Sequence, residues 1–474
     1  MEGYILGASG LGVLLAARGL GRRPAEPSPP SDHEAMLVEA VDWAAAHGML
    51  VRPQGTQFDH CPFSLLPTPF PRAPFEEAVA LGPTFARLTD AVARDTEWLH
   101  GTLAAAGQGD EFTERLLEVS RAVHKEGIGQ PLQLGILRSD YMLHEPTEAE
   151  QKLPLFTSQA GGAAPKRFMQ VELNCIASSF GCMGCLTSEL HKYLLTRYPA
   201  ESAAASPALA VAGREMGSGC APNHNLAKIP ASIHEAHVAY LQRRGGAAPA
   251  APPVVVFVVQ DGESNSVDQR LLEYGLWNAH GLRVLRRSLG ELHRTAELQS
   301  HTASDGTTAR RLVLDGAVEV SVVYYRAGYT PDDYPSEAQW DARLLVERSA
   351  AVKCPSIDYH LTGAKKGQQA LAAPGAVERF LSAHEARHLR TCFAGLFPAE
   401  QAEAVEAATQ QPELFVLKPQ REGGGNNFYG DVNSHTHREL PVTLEPELSV
   451  RVCCGRRSLR CWPRWTRRNA RPSF

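Results

Sequence analysis

The amino-acid sequence predicts an α/β protein in which several helices precede the main sheet. Residues 84–127 carry Ala and Leu at helical spacing, which favours amphipathic helices. Val254–Val259 is a run of six apolar residues with high strand propensity, typical of a sheet covered on both faces. A helical stretch at 267–280 and a second short strand follow, which is the βαβ pattern. The length of 474 residues, with 43% hydrophobic and 21% charged residues, allows a sizeable globular core.

The N-terminal elements are predicted from capping and periodicity. The first helix is expected to begin near Ser31, because Ser31 and Glu34 have the spacing of a capping box. Gly48 is expected to end this helix after its apolar face. Two strands are then predicted, at Leu132–Leu137 and at Phe168–Leu173.

Turn and linker signals organise the second half of the chain. Gly245–Pro253 reads GGAAPAAPP and is expected to be a linker that marks a domain boundary. A strand is predicted near Leu282–Leu285. Asp315-Gly316 is typical of a hairpin turn, here between Leu312–Leu314 and Ala317–Tyr325.

Composition excludes several classes of protein. The 47 Lys and Arg against 52 Asp and Glu give a net charge of −5, so neither nucleic acid nor a membrane is an expected partner. Ten scattered Cys in so long a chain exclude a small disulfide scaffold and favour a reducing, cytoplasmic location. The apolar run Tyr4–Ala17 is too short to span a bilayer. Residues 1–30 are expected to be a poorly ordered extension, with a transit peptide as the alternative.

Three segments match known sequence motifs, but the residues around them do not support the structure that each motif requires. Gly7–Gly12 resembles a dinucleotide-binding loop, although its glycines miss the G-x-G-x-x-G spacing. His384–His388 matches the H-E-x-x-H pattern of zinc hydrolases, yet its surroundings favour a charged surface helix. Four residues have side chains of the kind that bind zinc: Cys175, Cys182, Cys185 and His191. They are interpreted instead as small buried thiols with a neighbouring imidazole.

The strongest functional signal is the stretch 414–429, LFVLKPQREGGGNNFY. A short strand is expected to present Lys418 ahead of Glu422 and a glycine-rich loop. Because glycines lack a Cβ, their backbone N–H groups can approach phosphate oxygens, and the lysine adds positive charge. Glu and Asn oxygens suit Mg²⁺. The segment therefore predicts a phosphate-binding loop with a metal ligand, and a surface hairpin is the alternative.

A second group lies on a predicted strand. In the run 170–174, strand alternation puts Glu172 and Asn174 on one face, where two oxygen ligands can hold one metal ion. The same pattern is equally typical of an amphipathic strand. The small residues Ser178, Ser179 and Gly181 follow, as in a loop that binds a substrate.

A third group follows the ends of predicted strands, where open α/β sheets bind their ligands. Arginines together with amide and carboxylate groups suit a small zwitterion that carries carboxylates and an amine. The members of this group are Arg138, Glu263, Asn265, Gln269, Arg326 and Tyr329.

These motifs together resemble the eukaryotic glutathione synthetase family over about Ser31–Gly430. The motifs, in chain order, are LRSDYML, VELNCIASSFG, VDQR, YYRAGY, DARLLVERSAAVKCPSI and KPQREGGGNN. The resemblance implies a circularly permuted ATP-grasp fold that forms a homodimer. It also implies the reaction: ATP, γ-glutamylcysteine and glycine give glutathione, ADP and phosphate through an acylphosphate. The implied parts are an N-terminal catalytic part at 31–250, an inserted α/β substrate-binding domain at 254–360, and an ATP-binding segment at 361–430.

The resemblance also implies roles for individual residues. The implied Mg²⁺ ligands are Glu172, Asn174 and Glu422. The implied ATP-binding residues are Glu172, Lys365, Lys418, Glu422, Gly423, Gly424, Gly425, Asn426, Asn427 and Tyr429. The implied dipeptide contacts are Arg138, Ser178, Ser179, Glu263, Asn265, Gln269, Arg326 and Tyr329. Arg138, Lys365 and Lys418 are the implied catalytic groups, which act by positioning and by neutralising charge.

Beyond Gly430 the sequence departs from the family pattern. Residues 451–474 hold eight Arg and no Asp or Glu, and residues 431–474 are expected to be an atypical basic tail that packs poorly. The lid and the adenine-contacting strands of the family are not recognisable there, so activity is expected to suffer. Two alternatives therefore stay open: a non-catalytic chain of the same family, and a zinc hydrolase that uses His384, Glu385 and His388.

Overall fold

The computed structural model describes residues 32–53, 55–144, 168–205, 209, 220–244, 251–302, 306, 308–398, 401–419, 428–429 and 448–452. Its N-terminal part is helical, as predicted. The four helices are α1 (Asp32–Ala46), α2 (Arg72–Arg94), α3 (Thr96–Gly109) and α4 (Glu111–Glu126). Ser31, the expected cap of α1, lies outside the described residues. Gly48 follows α1 with a φ of +78°, which suits glycine.

Side-chain caps explain where α3 and α4 begin. Asp95 accepts the backbone N–H of Trp98 at 3.0 Å, and Asp110 accepts that of Thr113 at 3.1 Å. Each cap satisfies a backbone donor that the helix itself leaves unpaired. The apolar faces of α2, α3 and α4 then pack in the same core as the main sheet.

Among the described residues, two small antiparallel pairs and three helices separate these helices from the main sheet. The strands are β1 (Leu50–Val51), β2 (Asp59–His60), β3 (Arg138–Leu143) and β4 (Phe168–Asn174), paired β1 with β2 and β3 with β4. The helices are α5 (Gly181–Arg197), α6 (Pro199–Ala205) and α7 (Asn225–Arg243). The strand predicted at Phe168–Leu173 is confirmed as β4.

The strand predicted at Leu132–Leu137 is wrong. These residues have no strand assignment, and β3 begins only at Arg138. Leu132, Leu134 and Ile136 pack against the buried cluster that includes Val255. Their alternation therefore reflects contact with the core rather than pairing in a ladder.

The main sheet has six strands with the order β6-β5-β9-β8-β7, and β10 pairs in parallel with β9. The strands are β5 (Val254–Val258), β6 (Val284–Arg287), β7 (Ala296–Thr302), β8 (Thr308–Leu314), β9 (Val318–Tyr325) and β10 (Val352–Cys354). Helix α8 (Ser266–His280) links β5 to the parallel β6, and α9 (Leu289–Thr295) follows. The predicted βαβ unit is confirmed, although β6 begins two residues later than expected.

The centre of this sheet is buried on both faces. All five residues of β5 are buried, because β6 and β9 pair with its two edges and helices cover both faces. The hairpin predicted around Asp315-Gly316 is confirmed, since Leu314 pairs with Val318. The chain passes from β5 to β6 on one side and returns to β9 on the other. The carboxyl ends of β5 and β9 therefore lie beside each other at a topological switch point.

The remaining elements lead to a second, smaller sheet. The helices are α10 (Glu337–Arg348), α11 (Ile357–Thr362), α12 (Lys365–Ala372), α13 (Ala383–Arg390) and α14 (Ala402–Gln410), with short 3-10 turns at Pro331–Asp333, Val377–Arg379 and Pro412–Leu414. The strands are β11 (Leu396–Pro398), β12 (Phe415–Pro419), β13 (Phe428–Tyr429) and β14 (Leu448–Val452), in the order β11-β14-β12-β13. The predicted short strand that carries Lys418 is confirmed as β12.

One expectation about the C-terminal part is wrong for 448–452, the stretch beyond 430 that the structure describes. Residues from 431 onward were expected to pack poorly, but β14 lies inside the smaller sheet and pairs antiparallel with both β11 and β12. A strand paired on both edges contributes backbone hydrogen bonds on each side, so these five residues belong to the fold. The division of the chain into domains stays a prediction. Within the described residues, no helix is long and apolar enough to cross a membrane.

Candidate active site

The first part of the candidate site lies at the carboxyl end of β5. The Glu263 carboxyl group accepts the backbone N–H of Asn265 at 2.7 Å and the Gln269 side-chain amide at 3.2 Å. These contacts bring together three of the predicted dipeptide-binding residues. Within the described part of the chain, Asn265 Oδ1 is buried and has no hydrogen-bond partner.

Arg326, at the carboxyl end of β9, lies beside this group. Its side chain is only 3% exposed, and its Nη2 atom is 3.9 Å from Asp268 Oδ2. Nη1 donates to the backbone carbonyl of Ser178, while Nε has no partner among the described residues. A buried donor without a partner costs free energy, so Nε together with Asn265 Oδ1 points to a place where a polar ligand binds.

Asp268 organises the loop that precedes α5, a role that the sequence analysis missed. Oδ2 of Asp268 accepts the N–H of Phe180 at 3.0 Å, and Oδ1 accepts those of Cys182 and Met183, each at 3.1 Å. Phe180 has a φ of +65°, and Ala177 in the same loop has a φ of +50°. Two non-glycine residues in the left-handed region are costly, and the buried carboxyl group helps to hold them there. The signal was available, because Asp268 directly precedes Gln269 in the VDQR motif.

The second part of the candidate site is the β3–β4 pair. Glu172 lies opposite Asp140, and Asn174 lies opposite Arg138. Glu172 and Asn174 are two residues apart in a regularly paired stretch, so they share a face as predicted. Asn174 Nδ2 donates to Asp140 Oδ2 at 3.2 Å.

Arg138 does not lie where the sequence predicted it. It was predicted to follow a strand, but it is the first residue of β3. Its guanidinium forms a two-point contact with Asp140, with Nε–Oδ1 at 2.8 Å and Nη2–Oδ2 at 3.0 Å. This contact fixes the orientation of the guanidinium at the site. Asp140 is a further carboxylate beside Glu172 that the sequence analysis missed.

The two parts are joined by the loop after β4. Ser178 Oγ donates to the carbonyl oxygen of Asn174 at 3.2 Å, and the carbonyl oxygen of Ser178 accepts from Arg326. One short loop therefore connects the oxygen-rich face of β4 with the buried guanidinium at the end of β9.

The two lysines predicted to bind ATP are both buried. Lys365 is 6% exposed and begins α12, and Lys418 is 5% exposed and lies in β12 opposite Ser449. Gln368 fixes α12 against β4: its Oε1 accepts the N–H of Leu173 at 3.1 Å and its Nε2 donates to the carbonyl of Leu173 at 3.2 Å.

The predicted phosphate loop lies outside the described residues. This applies to Glu422, Gly423, Gly424, Gly425, Asn426 and Asn427, whereas the backbone of Tyr429 pairs with Val416 in β13. The described donors near β4 are the oxygens of Glu172, Asp140 and Asn174, and hard oxygen ligands of this kind fit Mg²⁺. No three His, Cys, Asp or Glu side chains within the described ranges group closely enough to hold a metal ion. The residues present therefore fit part of a Mg²⁺ site, to which Glu422 was predicted to contribute.

The zinc motifs have structural roles. Ser382 and Glu385 form a capping box at the start of α13, and Glu385 pairs with Arg87, so the expected surface helix is confirmed. Cys175, Cys182 and Cys185 are buried thiols, and burial raises the pKa of Cys182. His191 Nε2 lies 2.8 Å from the carbonyl oxygen of Ser64. The predicted dinucleotide-like loop, Gly7–Gly12, lies outside the described residues.

Comparison with known proteins agrees with the resemblance. Residues 30–443 match the model of the ATP-binding domain of eukaryotic glutathione synthase, so the match continues past Gly430. Glutathione synthetase from Solanum lycopersicum, named as chloroplastic, is 38% identical over 417 residues, which is 85% of this chain and 68% of that protein. The Bos taurus enzyme is 36% identical over 84% of this chain and 76% of its own length, and the Homo sapiens enzyme is 35% identical over 87% and 79%.

The chain belongs to the eukaryotic glutathione synthetase family. The predicted activity, ATP-dependent glutathione synthesis by a ligase, is thereby confirmed at the level of the family. A solved structure supports the fold: a glutathione synthetase-like effector from Globodera pallida in its apo form has a TM-score of 0.64, with 18% identity, over 89% of this chain and 81% of that one. The mixed α/β architecture agrees with the predicted ATP-grasp type of fold. Nothing in these comparisons favours a zinc hydrolase or a non-catalytic chain.

Proposed function

We propose that this chain ligates γ-glutamylcysteine to glycine at a single site formed by the β3–β4 pair, the loop after β4, and the carboxyl ends of β5 and β9. ATP is bound beside Glu172, Lys365 and Lys418, with residues 422–427 and Tyr429 completing the nucleotide site. The dipeptide is bound beside Arg326. The family relationship supports the reaction, and the contacts described above support the assignment of residues.

The observation that carries the proposal is the connection through Ser178. Its hydroxyl donates to Asn174 at 3.2 Å, and its carbonyl accepts from the buried Arg326. We infer that a carboxylate bound by Arg326 lies close to a phosphate whose Mg²⁺ would be held at the oxygen-rich face of β4. Proximity of an acceptor carboxylate and a donor phosphate is the main requirement of phosphoryl transfer.

The dipeptide contacts follow from the chemistry of each side chain. Arg326 Nε, which has no partner among the described residues, donates to a substrate carboxylate. Glu263 and Asn265 Oδ1 accept from the substrate amine and amide groups. Ser178, Ser179, Gln269 and Tyr329 complete the binding surface, and Arg138, fixed by Asp140, contributes positive charge.

The reaction takes place in two steps. An oxygen of the cysteinyl carboxylate attacks the γ-phosphorus of ATP, the bond to the ADP oxygen breaks, and Lys365 and Lys418 neutralise charge on the phosphoryl oxygens. Mg²⁺ would be held by Glu172, Asn174 and Glu422 and supplies further charge neutralisation when bound. The glycine amine then attacks the acyl carbon, loses a proton, and phosphate leaves.

Product formation by the purified chain tests this proposal. We expect ADP and phosphate release that requires ATP, Mg²⁺, γ-glutamylcysteine and glycine, together with formation of the tripeptide. Without glycine, hydroxylamine should trap the acylphosphate as a hydroxamate. ADP release that is absent, or that does not depend on the dipeptide, would contradict the proposal. Substituting β-alanine for glycine in the same assay identifies the preferred acceptor.

A pair of arginine variants tests the site assignment. Arg326→Met should lower kcat/KM for the dipeptide by about a hundredfold, because a charged hydrogen bond to the carboxylate is lost. Arg283→Met is the matched control, since Arg283 is exposed and lies before β6, at the other end of the strands. Equal effects of the two changes would remove Arg326 from the site.

We further propose that the chain forms a homodimer and resides in the cytoplasm. Mass photometry at nanomolar concentration should give twice the chain mass. Fluorescence microscopy of a tagged chain should give diffuse cytoplasmic signal. Plastid signal would contradict the second proposal and would agree with the names of the relatives from Solanum lycopersicum and Arabidopsis thaliana.

A further inference from the structure

The loop that follows β9 carries two of the proposed dipeptide contacts, Arg326 and Tyr329. Three successive backbone N–H groups of this loop converge on one atom, Oδ2 of Asp333. The distances to this oxygen are 2.9 Å from Gly328, 3.1 Å from Tyr329 and 3.1 Å from Thr330. The hydroxyl of Thr330 donates to the same oxygen at 3.2 Å. One carboxyl oxygen therefore accepts four hydrogen bonds from the loop.

The opposite side of the loop is also held. The hydroxyl of Tyr334 donates to the carbonyl oxygen of Gly328 at 3.2 Å, and the Tyr334 ring stacks on Trp340 with ring centroids 3.9 Å apart. Gly328 has a φ of +95°, which favours glycine. The conformation of this loop therefore depends on Asp333 and Tyr334, which lie at the end of the 3-10 turn.

Successive N–H groups that point inward form a concave site for anions. Here the protein's own carboxyl group occupies that site, so a substrate carboxylate or phosphate does not. Tyr329 also borders a cavity of about 720 Å³ at the carboxyl ends of β5 and β9, together with Gln260 and Asp261. The orientation of this loop therefore decides what Tyr329 and Arg326 present to a ligand.

We propose that Asp333 is a positioning residue for the dipeptide. It holds the backbone of 328–330 so that Tyr329 and Arg326 face the substrate, and it fills an anion site that would otherwise compete for the substrate's carboxylates. This inference rests on the proposed function. The sequence analysis did not select Asp333, although Thr330 and Asp333 have the spacing of a capping box, which the structure shows.

Three variants separate this role from a general effect on folding. Asp333→Ala should raise KM for γ-glutamylcysteine about tenfold while KM for ATP stays within about twofold of the parent value. Asp333→Asn keeps an oxygen acceptor at the same place and should recover most of the affinity. Asp341→Ala is the matched control for the kinetics, because Asp341 is an exposed aspartate on α10 outside the cavity, whereas Asp332 borders it. Added formate should partly restore the Asp333→Ala variant by occupying the vacated anion site.

Hydrogen–deuterium exchange gives a readout that does not depend on activity. The amides of 328–330 should lose protection in Asp333→Ala and keep it in Asp332→Ala. An unchanged KM for the dipeptide, unchanged protection of these amides, or an equal rise of KM for both substrates would overturn the inference. Failure of the proposed function is distinguishable, because the parent chain would then show no glycine-dependent turnover while the exchange experiment still tests the loop.

Discussion

Two carboxyl groups that are not predicted ligand contacts, those of Asp268 and Asp140, determine much of the geometry of the candidate site. Asp268 accepts three backbone N–H groups and faces Arg326, and Asp140 holds Arg138. Both aspartates are adjacent, or nearly so, to residues that the sequence analysis selected. Sequence reasoning selected side chains whose chemistry suits a ligand. It missed Asp268 because its partners are backbone groups distant in sequence, and it missed Asp140 because residue type alone does not show that this carboxylate pairs with Arg138 two residues away.

The first prediction concerns Asp268. Replacing it with Ala leaves three buried N–H groups without their acceptor and Arg326 without its neighbouring carboxylate. We expect the free energy of unfolding to fall by about 3 kcal/mol, with loss of dipeptide turnover. Urea denaturation and steady-state kinetics measure the two effects. Asp341→Ala, at an exposed aspartate on α10, should change neither, and a stable, fully active Asp268→Ala would contradict the assignment.

The second prediction concerns pH and a buried network between α3, α4 and α11. Ser120 donates to Asp358 Oδ1 at 2.6 Å, and His124 Nε2 lies 2.9 Å from Asp358 Oδ2. This hydrogen bond raises the pKa of His124, whereas burial lowers the pKa of His100. The protonated form of His124 is therefore favoured in the folded chain. Its contribution is fully present below the unfolded pKa of about 6.5 and is lost as pH rises through the higher folded pKa.

Unfolding experiments across this pH range test whether the stability that each histidine contributes falls or rises with pH. Between pH 6 and 8, the free energy of unfolding of the parent chain should fall relative to that of His124→Gln, because only the parent loses a stabilising proton. The effect of His100 is opposite. Its contribution to the free energy of unfolding is present above the unfolded pKa and is lost as pH falls. A His100→Gln variant should therefore become relatively more stable at the acidic end. Parallel curves for all three chains would show that neither histidine is linked to folding.

At the level of secondary structure, the contact of α12 with β4 joins two elements of the proposed ATP site. Gln368 bonds both backbone groups of Leu173, and α12 begins with Lys365. We predict that Gln368→Leu raises KM for ATP several-fold and leaves KM for the dipeptide unchanged, because it loosens the helix that carries the lysine. Gln299→Leu on the exposed edge of β7 is the control. An effect on the dipeptide alone would contradict this arrangement.

The spacing of apolar residues predicted some helices and strands correctly and others not. Helices α2 to α4 and the buried β5 were predicted because a long stripe and a continuous apolar run each have few alternative interpretations. Leu132–Leu137 was predicted as a strand and is not one, because an extended segment can contact the core without a ladder partner. β14 was not predicted, because its pairing with β11 and β12 is a long-range contact that no local pattern reports.

At the scale of the whole molecule, ligands of the proposed site should stabilise the fold together. A non-hydrolysable ATP analogue with Mg²⁺, at about a hundred times its dissociation constant, should stabilise the chain by about 2.7 kcal/mol. Addition of γ-glutamylcysteine should raise Tm further, since the proposal places both ligands at one site and each would bind only the folded chain. EDTA should abolish the nucleotide part of the shift in a thermal denaturation scan. Shifts that are unaffected by EDTA would argue against the metal assignment.

The class of fold, the family and the chemical character of the candidate ligands could be predicted from the amino-acid sequence alone. This was possible because apolar periodicity, glycine-rich loops and ordered motifs are local properties of the chain. The structure was needed to show that Arg138 begins a strand and is held by Asp140, that Asp268 and Asp333 fix the two loops of the site, and that 448–452 is an internal strand. The contacts of Asp268 and of 448–452 join segments far apart in the chain, which no local pattern reports. The contacts of Asp140 and Asp333 are local, but residue type alone does not distinguish a carboxylate that accepts hydrogen bonds from the protein from one that is solvated.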